Sequence, residues 1–568
     1  MKAKGINIRK LGSYISLVLL CLFSFWKIRL GIHSDEVHSI AVGDMIAQGN
    51  AFFKECWFYL QLSAVFTAPV ISIYEKVVGS RDGILLFFRV ISVCIQLGVC
   101  VYFYSVFKEK YQKRYVLIAC VLLFTFIPDF QSFTYKQELI WLATLEILFS
   151  YKYYLTYRKR YLIFLGIVIA CSVLAYPTAI LQFPVYLLLV YMIDRMKLRT
   201  ENGLGDIVTI TITCFLCAVV FLAIVFRQIS INQFIEFFPR VFMDQNLDKS
   251  FVRKLLHPLV KFGAMGIMAI APVVFCEKIK KIQLPVVTFL LWGAFLGQVF
   301  IERSGVTWHC VTYPYTLTLF FLPLLCWIND RNKAGNRVLF CFFEIPAITI
   351  VLCMALASNQ GNITSMYGTL FSAVGLVLAL GDRDNKAGVI CGEKSIIAAS
   401  MCIYALSMYL IPVTEQETVM PDHTARTIFT ERTLVSEGPA AGIYLGNITY
   451  EKYLSICGII RENVSSSDKL FLVDDHYTAS YGYLASRGGY ATYSPQGGWG
   501  LAESDQAVHY FADNPEKEPT VVIIRKEYIK CELGDYFQET AVGNYLREKG
   551  FYTVEESGDY IVMRKNTG

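Results

Sequence analysis

The chain has 568 residues, of which 55% are hydrophobic and 17% are charged, and its formal net charge is +6. The charged share lies below the roughly 25% of ordinary soluble domains, so the composition predicts a protein with several membrane-spanning helices. The basic residues cluster in short loops between apolar runs. Because they do not form a basic stripe with exposed aromatic residues, we do not expect nucleic-acid binding.

Apolar runs along the first part of the chain predict about 13 spans, since a helix needs about 20 apolar residues to cross a bilayer. The first run follows a basic start and lacks a small-residue cleavage site, so it is predicted to be a retained signal anchor. The predicted spans are 11–28, 83–107, 115–130, 137–153, 161–176, 178–193, 207–226, 262–276, 284–301, 311–328, 337–357, 363–381 and 395–412.

The short basic loops orient these spans. With this list, all of them fall on the same side as the basic N-terminus, and the excess of Lys and Arg predicts that this side is cytoplasmic. The loop 29–82 and the tail then lie on the outer side of the cytoplasmic membrane. Within the outer loops, Val37–Ile46, Trp57–Ile73 and the phenylalanine-rich loop 227–261 are predicted to form helices that lie in the membrane interface.

The tail, residues 413–568, is polar and is predicted to be a small extracytoplasmic α/β domain that follows a membrane domain at 1–412. Its glycine-rich segment, 487–500, lacks both the GxGxxG order and a phosphate-loop lysine, so no nucleotide site is predicted there. Strands are predicted at 469–473 and 520–524 and in a hairpin at 552–554 and 560–563, with helices at 502–513 and 536–549.

Asp35 and Glu36 directly follow the first predicted span. Ionisable side chains at the mouth of a membrane helix are candidates for a functional site. We expect Asp35 to act as a general base whose pKa is raised by burial. The residues also allow a purely structural role, because Ser34 before two carboxylates is typical of a helix N-terminus. His33 and His38 flank the pair and are weak candidates for a divalent metal site; no other cofactor is predicted.

Two further outer segments carry candidate residues. Lys136 is suited to binding a phosphate, and Glu138 is a second candidate carboxylate, although an acidic residue also favours a helix start. Arg303, His309 and Tyr313 are candidates for binding an anionic head group. The alternative for the tyrosine is the aromatic belt found at membrane interfaces.

These features together resemble the GT-C-fold glycosyltransferases, in the branch of protein O-mannosyltransferases and lipid A aminoarabinose transferases. The signal anchor, the Asp35-Glu36 pair, the long first outer loop, Glu138 at the start of the fourth span and the segment from His309 to Tyr313-Pro314 carry this resemblance over residues 1–412. The resemblance implies a polyprenyl-phosphate-linked sugar donor, a lipid, glycan or protein acceptor, and inversion of the anomeric centre. It also implies that Asp35 is the catalytic acidic residue, Glu36 its partner and Glu138 the second acidic residue.

Three alternatives stay open from the residues. A lipid-linked polysaccharide polymerase or ligase would use the isolated arginines of the outer loops. A multi-span transporter needs polar groups within its spans, of which Glu146 and Glu344 are the main examples. In a non-catalytic scaffold, Asp35 and Glu138 would be dispensable.

Overall fold

A bundle of α-helices forms the first three quarters of the chain, and a mixed sheet flanked by helices forms the tail. The computed structural model describes residues 8–126, 132–196, 203–242, 251–275, 283–302, 309–328, 338–357, 362–381, 391–413, 427–495, 505–528 and 540–566.

The bundle helices agree with the predicted order of apolar runs, with shifted ends. The first nine are α1 (Ile8–Lys27), α2 (Ser34–Ala47), α3 (Ala64–Val78), α4 (Ile84–Phe107), α5 (Lys113–Thr125), α6 (Tyr135–Thr156), α7 (Arg160–Ala175), α8 (Gln182–Met196) and α9 (Gly203–Phe226). They are followed by α10 (Ile231–Phe237), α11 (Phe251–Phe275), α12 (Gln283–Glu302), α13 (His309–Ile328), α14 (Ile345–Ala357, preceded by a π-helical turn at Phe340–Glu344), α15 (Asn362–Leu380) and α16 (Cys391–Leu410).

Three of the described helical segments are long and apolar enough to cross a membrane: Ile84–Phe107, Gly203–Phe226 and Phe340–Ala357. The side chains of α9 are mostly exposed, as is usual for a helix that faces lipid, whereas most of the Phe340–Ala357 segment is buried inside the bundle.

The first outer loop forms helices, but α2 does not lie as an amphipathic helix in the interface. α2 is buried along nearly its whole length, because α3 packs on it from one side and a helix of the tail packs on it from another. The approach of α3 is close: a Cβ atom added at Gly43 would lie 2.2 Å from Thr67 Oγ1. The predicted helix Trp57–Ile73 begins instead at Ala64.

The loop after α9 contains the short α10, whose Ile231 and Ile235 side chains are exposed, as expected for an interfacial helix. The predicted loop is too long, because α11 already begins at Phe251.

The tail contains a five-stranded sheet in the order β4-β3-β5-β7-β6. β3 is parallel to β4 and β5, whereas β7 is antiparallel to β5 and β6. The predicted strands are confirmed within a few residues, but β4 was not predicted because it lies in the glycine-rich segment. The elements are β1 (Thr433–Leu434), β2 (Tyr444–Leu445), α17 (Asn447–Asn463), β3 (Lys469–Val473), α18 (His476–Ala485), β4 (Gly489–Tyr490), α19 (Asp505–Asp513), β5 (Val521–Arg525), α20 (Ala541–Glu548), β6 (Phe551–Ser557) and β7 (Tyr560–Lys565).

Backbone hydrogen bonds join the tail to both ends of the first outer loop. Gly31 N donates to Tyr444 O at 2.8 Å, and Tyr444 N donates to Arg29 O at 2.6 Å. At the other end of the loop, Gly83 N donates to Gly438 O at 2.9 Å. The loop therefore lies between the helical bundle and the C-terminal sheet.

Candidate functional site

An ion pair joins the start of α2 to the start of α6. Lys136 Nζ donates a hydrogen bond of 2.6 Å to Asp35 Oδ2, although the two residues are 101 positions apart. The Lys136 side chain is 9% exposed and that of Asp35 is 27% exposed. The structure thus brings together a predicted base and a predicted phosphate-binding residue, and it leaves part of the carboxylate accessible.

The charge state of Asp35 differs from the expectation. Burial raises the pKa of this carboxyl, but the Lys136 ammonium, helped by His33 and His38, outweighs burial and holds the pKa well below its usual range. The prediction that burial raises the pKa of Asp35 towards neutrality is therefore wrong for this arrangement. A cation within hydrogen-bond distance stabilises the charged form of the carboxylate more than burial destabilises it.

The histidines next to Asp35 support the helix that carries it. The predicted helix start is confirmed, but His33 is the N-cap in place of Ser34: its Nδ1 accepts a 3.2 Å hydrogen bond from Asp35 N. The ring of His38 packs edge-on against Phe58, with 4.4 Å between the ring centroids. Across the described ranges, no three His, Cys, Asp or Glu side chains are grouped to hold a metal ion.

Glu36 lies in a second ion pair, with Arg89 of α4, and both side chains are fully buried. Arg89 Nε and Nη2 donate to the two carboxylate oxygens, each at 2.6 Å. The same guanidinium donates to Ile28 O at 2.6 Å and to Gly31 O at 2.9 Å. Arg89 thus ties the end of α1 and the start of α2 to α4. The sequence analysis missed it, although an arginine inside an apolar run is itself a signal.

Polar contacts in the bundle also fix the start of α6. Thr134 caps the helix by accepting a 3.2 Å hydrogen bond from Gln137 N. Gln137 Nε2 donates to Gln96 Oε1 of α4 at 3.0 Å, and Trp141 Nε1 donates to the same oxygen. These buried contacts fix the position of the first turn of α6, which carries Lys136.

Two aromatic rings lie near the Lys136 ammonium. Its Nζ lies 5.8 Å from the ring centroid of Tyr135 and 6.0 Å from that of Tyr367 on α15. Phe126 packs edge-on against Tyr367 and stacks on Tyr315 of α13, each with 5.9 Å between centroids. A continuous row of aromatic contacts therefore leads from Lys136 to α13.

The remaining predicted site residues lie at the starts of α6 and α13 or outside the described ranges. His309 and Tyr313 lie in the first turns of α13, with Tyr313 half-buried, and Arg303 lies outside the described residues. Glu138 is 3% exposed. Its carboxylate oxygens form no hydrogen bond with any residue in the described ranges, and hence none with Lys136.

The carboxylates further inside the bundle contact serine hydroxyls. Ser172 Oγ donates to Glu146 at 2.5 Å, and Ser372 Oγ donates to Glu344 at 2.6 Å. The two residues are fully buried and lie on different helical segments. Each of these buried carboxylates accepts a hydrogen bond from a serine hydroxyl, as buried polar groups usually do.

The C-terminal sheet has its own carboxylate pair at the end of β3. Tyr560 donates to Asp474 at 2.7 Å, and Arg525 donates to Asp475 at 3.1 Å. Burial, together with the neighbouring Asp475 carboxylate, raises the pKa of Asp474 to about 7. Asp475 also accepts a 2.8 Å hydrogen bond from Thr478 N at the start of α18, so this pair stabilises the sheet and its first helix.

Comparisons with known proteins give similarity of structure without similarity of sequence. No family model and no curated protein matches the chain. The structure is similar to that of ArnT from Cupriavidus metallidurans bound to undecaprenyl phosphate, with a TM-score of 0.49, 11% identity and coverage of 98% of both chains. It is also similar to the Archaeoglobus fulgidus oligosaccharyltransferase in complex with Zn and sulfate, with a TM-score of 0.47, 14% identity and coverage of 96% of this chain and 72% of that one.

A further structure, of the archaeal oligosaccharyltransferase AglB with an inhibitory peptide and a dolichol-phosphate, has a TM-score of 0.45 and 12% identity. ArnT is a lipid A aminoarabinose transferase, the group that the sequence resembles. Each of these TM-scores is below 0.5, so the similarity does not assign a function to this chain.

Proposed function

We propose that this protein is a membrane glycosyltransferase that moves a sugar from a polyprenyl-phosphate donor to an acceptor at the outer face of the cytoplasmic membrane. The observation that carries the proposal is the partly exposed Asp35–Lys136 ion pair at the starts of α2 and α6. One partner is a potential base and the other a potential phosphate ligand. Such a pair is suited to a reaction in which a base activates an acceptor hydroxyl and a cation stabilises the phosphate that leaves the sugar.

The donor phosphate is proposed to bind at the start of α6. An ammonium attracts a phosphate, and the N-terminal end of a 22-residue helix adds a partial positive charge in the same place. His309 and Tyr313 at the start of α13, together with Arg303, are proposed to complete the binding site for the phosphate.

Binding of the phosphate would change the state of Asp35. In the resting protein Lys136 holds Asp35 as a stable carboxylate, which is a weak base. When the donor phosphate draws the ammonium away, Asp35 loses its cation and gains an anion nearby, and both changes raise its pKa. Asp35 therefore becomes an effective base only when the donor binds. In the empty site its pKa does not have to be raised.

The reaction is then a single in-line displacement. Asp35 takes the proton of an acceptor hydroxyl, and the hydroxyl oxygen forms a bond with the anomeric carbon. The bond between that carbon and the phosphate oxygen breaks, and polyprenyl phosphate leaves with the electron pair while Lys136 stabilises its charge. Attack from the opposite side inverts the anomeric centre. Glu36 is proposed to act through Arg89 as a positioning residue, and Glu138 to contact the acceptor.

The proposal includes the arrangement in the membrane. Residues 1–412 are proposed to form about 13 spans with the N-terminus in the cytoplasm, counted at about 20 residues per span. Residues 413–568 are proposed to form an extracytoplasmic domain above the first outer loop. This orientation puts Asp35 and Lys136 at the outer face, where lipid-linked donors are used by the family that the sequence resembles.

The test compares the purified wild type with Asp35→Asn in an assay of sugar transfer from a polyprenyl-phosphate donor pool. We expect the variant to lose at least about 100-fold in rate, because general-base catalysis contributes about 10²–10⁴-fold. Glu516→Gln is a matched control, since Glu516 also accepts from a lysine, Lys54, at 2.8 Å but lies away from the site. Wild-type rates in Asp35→Asn would contradict the proposal.

A wild type that binds the donor without transferring its sugar would favour a polymerase or ligase that lacks its acceptor in the assay. Failure of the wild type both to bind and to transfer would favour the transporter or scaffold alternatives.

A further inference from the structure

The far end of α2 is bound by the C-terminal domain. Asp44 lies nine residues after Asp35 on this helix and is fully buried. Its Oδ2 accepts a 2.6 Å hydrogen bond from the hydroxyl of Tyr490, a residue of β4. A buried carboxylate that accepts from a hydroxyl of another domain fixes the relative position of the two elements, because leaving it unpartnered would be costly.

Arg81 adds a second connection between the same elements. Its Nε lies 3.0 Å from Asp44 Oδ1, and its Nη1 donates to Ser486 O at 2.8 Å, directly after α18. One guanidinium thus links α2 to the segment between α18 and β4. We call Asp44, Arg81 and Tyr490 the α2 lock.

Packing around the α2 lock is tight on both sides. α18 packs along α2, and the ring of Tyr490 stacks on Tyr483 of α18 with 5.0 Å between centroids. On the opposite side Gly43 lets α3 approach closely. A helix held in this way moves as one body, and nine residues at 1.5 Å each place Asp35 only about 14 Å from the lock.

We propose that the C-terminal domain positions the catalytic carboxylate, and that the α2 lock is the contact through which it does so. This inference rests on the proposed function, since it assigns the domain a role in the same reaction. Small displacements of a reacting group are expensive: a misplacement of about 1 Å can cost about 100-fold in rate. The domain would therefore set the rate of transfer without contacting the donor.

Tyr490→Phe tests the inference, because it removes one hydroxyl and keeps the ring that stacks on Tyr483. We expect kcat to fall about tenfold, with the KM for the donor within about twofold of wild type, since the phosphate-binding lysine is on α6. The matched control is Tyr510→Phe. It removes another buried tyrosine hydroxyl of the same domain, one that donates to Glu55 O at 3.2 Å in the first outer loop and not to α2.

Hydrogen exchange provides a measurement that does not depend on activity. Amides of residues 34–40 should exchange several-fold faster in Tyr490→Phe than in the wild type or Tyr510→Phe, while amides of α6 should not change. If kcat and exchange both match the wild type, the inference is overturned. A lower kcat with unchanged exchange at 34–40 also overturns it, because Tyr490 would then act by another route.

The two proposals can fail separately. In one outcome the wild type transfers no sugar while Tyr490→Phe speeds hydrogen exchange of the amides of residues 34–40. This result would support the α2 lock and contradict the proposed reaction. If Tyr490→Phe does not fold, Arg81→Lys tests the same lock, because it keeps a cation beside Asp44 but removes the separate donor to Ser486 O. The same two measurements with the same outcomes then apply.

Discussion

Asp35 and Glu36 are neighbours in the chain, yet they lie in opposite environments. Glu36 and Arg89 are both fully buried, and the guanidinium binds both carboxylate oxygens and two backbone carbonyls. Asp35 is 27% exposed and is bound to the more flexible Lys136. Two adjacent carboxylates on a helix face different directions, so one can hold the helix while the other faces a substrate.

Burial and hydrogen bonding distinguish a structural ion pair from a functional one. A buried, fully hydrogen-bonded pair costs much free energy to break and has no capacity left for a ligand. A partly exposed pair costs less free energy to break, because water can reach the charge that remains, and its lysine can exchange the carboxylate for a phosphate. Asp44, the third carboxylate of α2, is fully buried like Glu36, and its partners Arg81 and Tyr490 come from the first outer loop and from the C-terminal sheet.

The largest effect is expected for Arg89→Met. It leaves Glu36 as an uncompensated buried charge, and breaking such a pair costs about 3–5 kcal/mol, enough to unfold many proteins. The measurement is the thermal midpoint and the folded yield after purification. In the double variant Glu36→Leu, Arg89→Met both charges are removed, and most of the lost stability should return. An Arg89→Met protein as stable as wild type would contradict the structural role of the pair.

A smaller effect is expected from the pH dependence of Asp44. Burial raises the pKa of Asp44 from 3.8 to about 6, despite the opposing effects of Arg81 and Tyr490. Because the pKa is higher in the folded protein, the contribution of Asp44 to stability is full below about 4 and is lost as the pH rises through about 6. This change amounts to about 3 kcal/mol at most.

Thermal midpoints of the wild type and Asp44→Asn between pH 4 and pH 8 measure this contribution. The thermal midpoint of the wild type, relative to that of Asp44→Asn, should rise as the pH falls. A gap that stays constant, or moves the other way, would show that Asp44 keeps an ordinary pKa.

The smallest effect on stability is expected for Lys136→Met, the counterpart of Arg89→Met at the other pair. The Asp35 side chain is 27% exposed, so its carboxylate can be hydrated or take up a proton in this variant, and the loss of stability should be smaller than in Arg89→Met. The effect should instead appear as a weaker affinity for the polyprenyl-phosphate donor, measured as a higher KM. A loss of stability as large as that of Arg89→Met would mean that the two pairs do not differ in role.

The order of the apolar helices, the polar tail with most of its strands, and Asp35 and Lys136 as candidate site residues could all be predicted from the amino-acid sequence. These are local properties, because apolar run length, period-two strands and a charge at the end of an apolar run are visible without any partner. The sequence also contained Arg89, but nothing local indicated that it pairs with a residue 53 positions earlier.

Three features depend on the folded chain: which carboxylate of the Asp35-Glu36 pair is buried, the contact by which Lys136 favours the charged form of Asp35, and the covering of α2. Composition predicted an interfacial helix at Val37–Ile46 because it could not show the C-terminal domain packed on it. Burial and pKa depend on the distance to charges and surfaces that are remote in the chain, and these distances exist only once the chain has folded.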